Sequence, residues 1–189
     1  VKESHVSMDA IKELREKTQA GFMDCKKALA EAKGDFDKAE QLLRKKGYEI
    51  ALKKASRAAR QGLVVSYVHT GGKIGVLLEL NCETDFVART EEFVKLAKDI
   101  AMQVASMNPK YVGKEEVPQE EILLAQEAAG AHKEEKTNAF YKELCLLEQP
   151  FIKDQSMTIK DYVSQAIGKV GENIVVRRFV RYCLGETEK

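Results

Sequence analysis

The chain has 189 residues, 44% hydrophobic and 32% charged, with 31 basic side chains against 30 acidic ones for a net charge of +1. That is long enough for one good core or for a small domain beside a larger one, and it reads as soluble and globular. Near-neutral charge argues against a dedicated nucleic-acid or membrane-surface protein, and no apolar run approaches the roughly 18 residues of a membrane span.

Met8, Ile11 and Leu14 recur behind Ser7, an N-cap residue, and predict a first helix ending near Thr18, Gln19, Ala20 and Gly21. A second is predicted from Phe22, with Cys25, Leu29 and Ala32 inward and Gly34 as its stop. Asp35 caps a third, lined by Phe36, Ala39, Leu42 and Leu43 and closed by Gly47. Together they make a small three-helix bundle over residues 1–47, the kind of module that presents a surface. Phe22 and Met23 stand out within it. Either they staple the helix start into the core, or one or both protrude, since the register of Cys25, Leu29 and Ala32 leaves no inward place for both. Residues 48–61 read as a basic linker helix carrying Lys53, Lys54, Arg57 and Arg60. Without interleaved aromatics, such a helix is a solvated face more often than a nucleic-acid contact.

Residues 62–189 predict an α+β core: a small antiparallel three-stranded sheet packed with helices. A strand from Leu63 to His69 turns through Thr70, Gly71, Gly72 and Lys73, where the glycine pair supplies the positive φ of a two-residue hairpin, into a strand ending at Asn81. In that second strand Ile74, Val76, Leu78, Leu80 and Cys82 alternate with Gly75, Leu77, Glu79 and Asn81, the period of one well-buried face. Behind Thr90, an N-cap, the stripe Phe93, Leu96, Ala97, Ile100, Ala101, Val104 and Met107 predicts an amphipathic helix that stops at Asn108 before Pro109. Thr84 to Arg89 is therefore a connector. It carries Phe86 and Val87 beside Asp85, and an aromatic at a loop tip is either tucked back or offered to a partner.

Pro118 suits a helix first turn, and an acidic stretch follows with an interruption near Gly130 before Phe140, Tyr141, Leu144 and Cys145 resume an apolar stripe that Pro150 ends. Thr158 with Asp161 forms a capping-box start for a helix stopped by Gly171, and one last strand runs from Ile174 to Leu184. Three strands leave a sheet face to be covered. A face with Val175, Phe179 and Leu77 in the open would be an association surface, and dimerisation is the expectation.

The four cysteines, Cys25, Cys82, Cys145 and Cys183, lie far apart without a C-x-x-C pair, so they read as reduced buried thiols and suggest no metal site. Val1 to Ser7 has no signal-peptide core, and an intracellular location is expected; Val1 is not an initiator residue, which allows a trimmed N-terminus. There is no G-x-S-x-G, H-E-x-x-H or phosphate loop, and His5, His69 and His132 are scattered. The expectation is a non-enzymatic protein, without cofactor or metal, that acts on another protein.

Three motifs in order carry a family resemblance: Leu14 to Thr18 with Ala20 to Leu29; Val76 to Arg89, including Asn81-Cys82-Glu83-Thr84-Asp85-Phe86-Val87; and Ile167 to Ile174 with Arg177 and Arg178. Over nearly the whole chain the sequence resembles translation elongation factor Ts. That resemblance implies a ubiquitin-associated (UBA)-like three-helix domain before the α+β core, and a guanine-nucleotide exchange factor that binds elongation factor Tu·GDP. It assigns the exchange motif to Thr84, Asp85, Phe86 and Val87, with Phe86 wedging near the partner's Mg²⁺ site, and it assigns the grip of the small domain to Leu14, Phe22 and Met23. His69 and Gly75 look like a further contact, within a segment (Tyr67 to Leu78) similar to the second core subdomain of longer members. Gln19 stands where the family commonly has glycine. Only one core unit is found, as in short members that pair with a twin, so the open sheet face becomes the expected homodimer surface. No membrane or direct nucleic-acid contact is implied, and the expected place is the bacterial-type cytoplasm, or an organellar matrix or stroma if a presequence was removed. The rival reading is an adaptor whose three-helix module binds ubiquitin-like or nascent-chain ligands, with Phe86 merely in the core.

Overall fold

A computed structural model describes residues 6–18, 20–129 and 133–186. Gln19, the interruption expected at Gly130, and His5 and His132 lie outside the described residues. Helices α1 (Met8–Thr18), α2 (Phe22–Glu31) and α3 (Phe36–Lys54) come first. Ile11, Leu14, Cys25, Ala28, Leu29, Ala32 and Ala39 close on one another as a core of their own. The expected caps form: the Ser7 hydroxyl accepts from Ala10 N at 3.1 Å, and Asp35 accepts from Lys38 N at 3.1 Å.

Gly47, however, does not end a helix. α3 runs straight through it, and the expected boundary between bundle and linker falls mid-helix. The reason is tertiary. Gly47 is buried where α3 crosses α8 (Ile159–Val170), and a Cβ built on it would stand 3.6 Å from the carbonyl oxygen of Ser164. The two backbones pack closely there with room for no more than a small side chain, so Gly47 sits in a helix crossing rather than at a cap. The predicted linker helix is also too long, for helical structure stops at Lys54 and residues 55–60 descend irregularly into the sheet. Tyr48 donates to Asp161 across the α3–α8 contact; burial first, then this carboxylate, push its phenol up to about 12.

The larger unit is built on the sheet order β1-β2-β5, all antiparallel, with β1 Gln61–Val68, β2 Ile74–Cys82 and β5 Ile174–Cys183. Its inner face carries Leu63, Val65, Val76, Leu78, Leu80 and Cys82, packed against α5 (Glu91–Met107) and α8. Thr90 caps α5 and the Thr158–Asp161 capping box opens α8, as their spacing predicts. Gly71 and Gly72 take the positive φ expected of them, but the loop exceeds a two-residue hairpin: His69 N bonds Ile74 O and Gly72 N bonds His69 O. A bulge lies opposite Glu79 and Leu80, with Glu79 facing Arg178 and Leu80 facing Val176. It changes the parity of β5, so Phe179 faces Leu78 on the inner side rather than joining Leu77 and Val175 outside.

Between β2 and α5 lies a single short helix, α4 (Asp85–Ala88). Beyond α5, α6 (Gln119–Ala129) and α7 (Lys133–Leu144) pack on each other, with no buried residue on α7. The sequence did not reveal the hairpin of β3 (Pro150–Phe151) and β4 (Asp154–Thr158). Its anchors are polar and distant. Buried Gln103 on α5 donates to Gln149 and Pro150 O at 3.1 Å and accepts from Ile152 N at 2.9 Å, and buried Asp99 takes Lys153 at 2.6 Å and the Tyr162 hydroxyl at 2.9 Å. None of the helices among the described residues is long and apolar enough to cross a membrane.

Candidate functional site

The β2 ladder ends at Cys82, and the chain must satisfy its next donors without a neighbouring strand. Glu172, placed just beyond the left-handed cap Gly171 of α8 (φ 76°), supplies the acceptors. Its Oε2 accepts Glu83 N at 3.1 Å and Thr84 N at 3.0 Å, and its Oε1 accepts the Thr84 hydroxyl at 2.6 Å. The brace is reciprocal: Glu83 accepts Asn173 N at 2.7 Å, which holds the Glu83 carboxyl below the usual carboxylate range, while the buried Asn173 donates its amide to Arg57 O at 2.8 Å. Inside the loop the Cys82 thiol donates to Thr84 O at 3.1 Å. Burial pushes that thiol up, away from thiolate reactivity.

From this fixed point α4 begins. The Thr84 hydroxyl accepts Val87 N at 3.4 Å, Val87 leans on the core, Ala88 is buried, and Thr90 closes the far side by donating to Val87 O at 2.8 Å. Asp85 pairs with Arg89 at 2.7 Å across one turn, an exposed pair worth at most about 1 kcal/mol. Phe86 is left pointing out, 78% exposed. It is therefore not a core residue.

The small bundle adds a second apolar offering. Met23 is 57% exposed and Phe22 38% exposed at the start of α2, so the protruding alternative holds there. Leu14 is fully buried in the bundle core with Cys25 and Leu29 of α2, so its side chain is not at the surface. Ala20, Gly21 and Asp24 of the bundle face Glu92, Lys95 and Leu96 of α5 across a cleft of about 180 Å³, so the turn before Phe22 and the helix that follows Phe86 border one depression. His69 and Gly75 lie elsewhere. They flank the hairpin turn at the other end of β2, His69 exposed and meeting the Tyr67 hydroxyl at 3.1 Å, Gly75 paired with Val68 and Tyr182. The sequence reading missed Glu172 and Asn173 as parts of the site; they had stood out only as members of a motif.

The α+β fold thus leaves Phe86 exposed on a braced turn at one end of the sheet and Phe22 and Met23 exposed at the start of α2. The family model described as "Elongation factor TS" matches residues 5–186. Elongation factor Ts of Carboxydothermus hydrogenoformans is 54% identical over 96% of this chain and 90% of its own length. Those of Fervidobacterium nodosum and an Anaeromyxobacter species are 53% and 52% identical, over 96% and 97% of this chain and 99% and 90% of their own lengths. The chain belongs to the elongation factor Ts family, and its role is that of a translation elongation factor.

Proposed function

We propose that this chain is a guanine-nucleotide exchange factor that binds elongation factor Tu in its GDP form and promotes GDP release, without itself catalysing a covalent step. The observation that carries the reading is Phe86, 78% exposed on a turn held by caps at both ends. A GTPase of this kind grips its nucleotide through Mg²⁺ and backbone amides around the phosphates, so an aromatic wedge that shifts those groups loosens GDP. Thr84, Asp85 and Val87 act with it: Thr84 caps the turn, Val87 roots it, and Asp85 sits at the partner's surface. Exchange then follows from linkage, because a factor that prefers the nucleotide-free partner must weaken GDP by the same ratio.

The three-helix domain is read as UBA-like, gripping the partner through Phe22 and Met23 while buried Leu14 holds α2 and so shapes that grip. The bundle and the sheet-bearing core then divide the work, and α3, which runs continuously to Lys54, fixes their spacing. His69 and Gly75 serve as a further contact, and the open sheet face joins two copies. The cytoplasm, where translation proceeds, is the expected place.

The test is release of labelled GDP from elongation factor Tu, with wild type beside Phe86→Ala. Truncating so exposed a ring leaves the thermal midpoint within about 2 °C of wild type. It should nevertheless slow stimulated release at least about tenfold, the scale of losing an aromatic hot spot. A folded variant as active as wild type would remove the wedge; a wild type that leaves release unchanged would return the module to the adaptor reading.

A further inference from the structure

We infer that Glu172 is a positioning residue for exchange: its carboxylate sets the geometry from which Phe86 acts. The inference rests on the exchange function proposed above. Glu172 is 88 residues from Thr84 in sequence, and its three hydrogen bonds run to Glu83 N, Thr84 N and the Thr84 hydroxyl. Two of these donors lie where the ladder has just run out, and the third is the hydroxyl that caps α4.

The sequence of dependence is short. Donating to Glu172 Oε1 orients the Thr84 hydroxyl so that a lone pair faces Val87 N, and this cap starts the helical turn of which Phe86 is the second residue. Four residues cannot hold a helical turn by themselves, since nucleation is unfavourable and this turn has almost no propagation to offset it. Its shape must come from its ends. At the far end, Thr90 and the buried Ala88 tie the turn to α5 and the core. At the near end the tie is Glu172, itself held because Gly171 caps α8 and Asn173 is clasped by Glu83 and by Arg57 O. One carboxylate thus links the end of α8 and the start of β5 to the orientation of an exposed ring.

A ring presented in its bound orientation spends none of its contact energy on ordering the loop, and this is where removal of the brace should be felt. With Glu172→Ala, water can solvate the freed amides and the fold persists, but α4 samples other orientations. The bundle still docks, so the loss belongs to the release step rather than to encounter. Glu172→Gln keeps a carbonyl for the two amides and a polar partner for the hydroxyl, and should restore much of the function.

The experiment compares wild type, Glu172→Ala, Glu172→Gln, Phe86→Ala and the Glu172→Ala/Phe86→Ala double variant. The readouts are GDP release from the GDP-loaded partner over a range of factor concentrations, and amide hydrogen exchange in each free factor. For Glu172→Ala we expect roughly a tenfold fall in the maximal release rate with the half-saturating concentration changed less than about twofold, and Glu172→Gln within about threefold of wild type. In the Phe86→Ala background the same change should cost less than about twofold, because the brace then has nothing to aim. The Glu83 and Thr84 amides should lose protection in Glu172→Ala while those of α5 keep theirs. Equal losses in both backgrounds, or a Glu172→Ala rate within twofold of wild type, would overturn the role. If wild type itself leaves GDP bound, exchange by this chain is what fails, and protection of the Thr84 amide still decides whether Glu172 braces the turn.

Discussion

At Gly62 the backbone holds φ 145°, and an added Cβ would stand 2.1 Å from the carbonyl oxygen of Leu80 and 2.7 Å from Asn81 Cα. Both atoms are backbone, so nothing there can rotate away. Gly62→Ala should destabilise the protein by about 2 to 4 kcal/mol, from strain and overpacking together, measured by denaturant unfolding. A stability within about 0.5 kcal/mol of wild type would mean that β1 can move off β2 at no cost. Gly62 faces Asn81, two positions ahead of the braced Glu83, so the damage should extend into the α4 turn. Residue by residue, what sequence revealed here was conflict. Phe86 could be singled out because an aromatic between a strand and a helix needs a reason; its exposure follows from the cap at Thr90, which the sequence also revealed, and from the cap at Thr84, which only the structure shows. Leu14 was assigned to the gripping surface although its own helical stripe already placed it in the core. Glu172 could not have been found as a brace, since no local rule pairs residues 88 apart.

Elements were legible where their signals are local. Asp35, Thr90 and Thr158 cap the helices that their spacing announces, because a cap needs only the next three residues. Signals that depend on packing misled. Gly47 looked like a stop, yet its role is the α3–α8 crossing, and the consequence can be tested. A Cβ there would meet Ser164 O at 3.6 Å and Gln165 N at 3.9 Å, ordinary contact distances, and helix interiors favour Ala over Gly by about 1 kcal/mol. Gly47→Ala should therefore leave stability unchanged or raise it by up to about 1 kcal/mol, whereas Gly47→Leu should force α3 off α8. Thermal melts of both variants decide it. A marked loss in the Ala variant would mean the crossing is tighter than its contact distances imply. The β3–β4 hairpin escaped for the opposite reason: two short strands carry little alternation, and their hold comes from Gln103 and Asp99 on a distant helix.

In the molecule as a whole, helices cover the inner face of the sheet, whereas the outer face bears Val64, Val68, Leu77, Val180 and Tyr182, each at least 40% exposed. Leu77 faces Val180, with Ser66 on its other side, and Gly75 lies between Val68 and Tyr182, so these residues form one continuous patch. The bulge in β5 makes this stripe by turning Val180 and Tyr182 outward and Phe179 inward. Phe86 lies beyond one end of β2 and Gly75 near the other, beside the hairpin turn that follows His69, separated by seven residue steps from Gly75 to Cys82 or about 23 Å of strand. One core therefore presents its two candidate contacts far apart, and a second copy docked on the outer face would bring another hairpin turn into the assembly. A twofold contact of this kind repeats each side chain, so every added charge enters the contact twice. Leu77→Lys combined with Val180→Lys should convert a dimer to a monomer in sedimentation velocity at micromolar concentration while leaving the thermal unfolding of the monomer cooperative, since both positions already face water in the single chain. A wild type that sediments as a monomer throughout would deny the patch this role. A charged double variant that remains dimeric would instead move the contact to another surface, with the edge strands β1 and β5 the next to test.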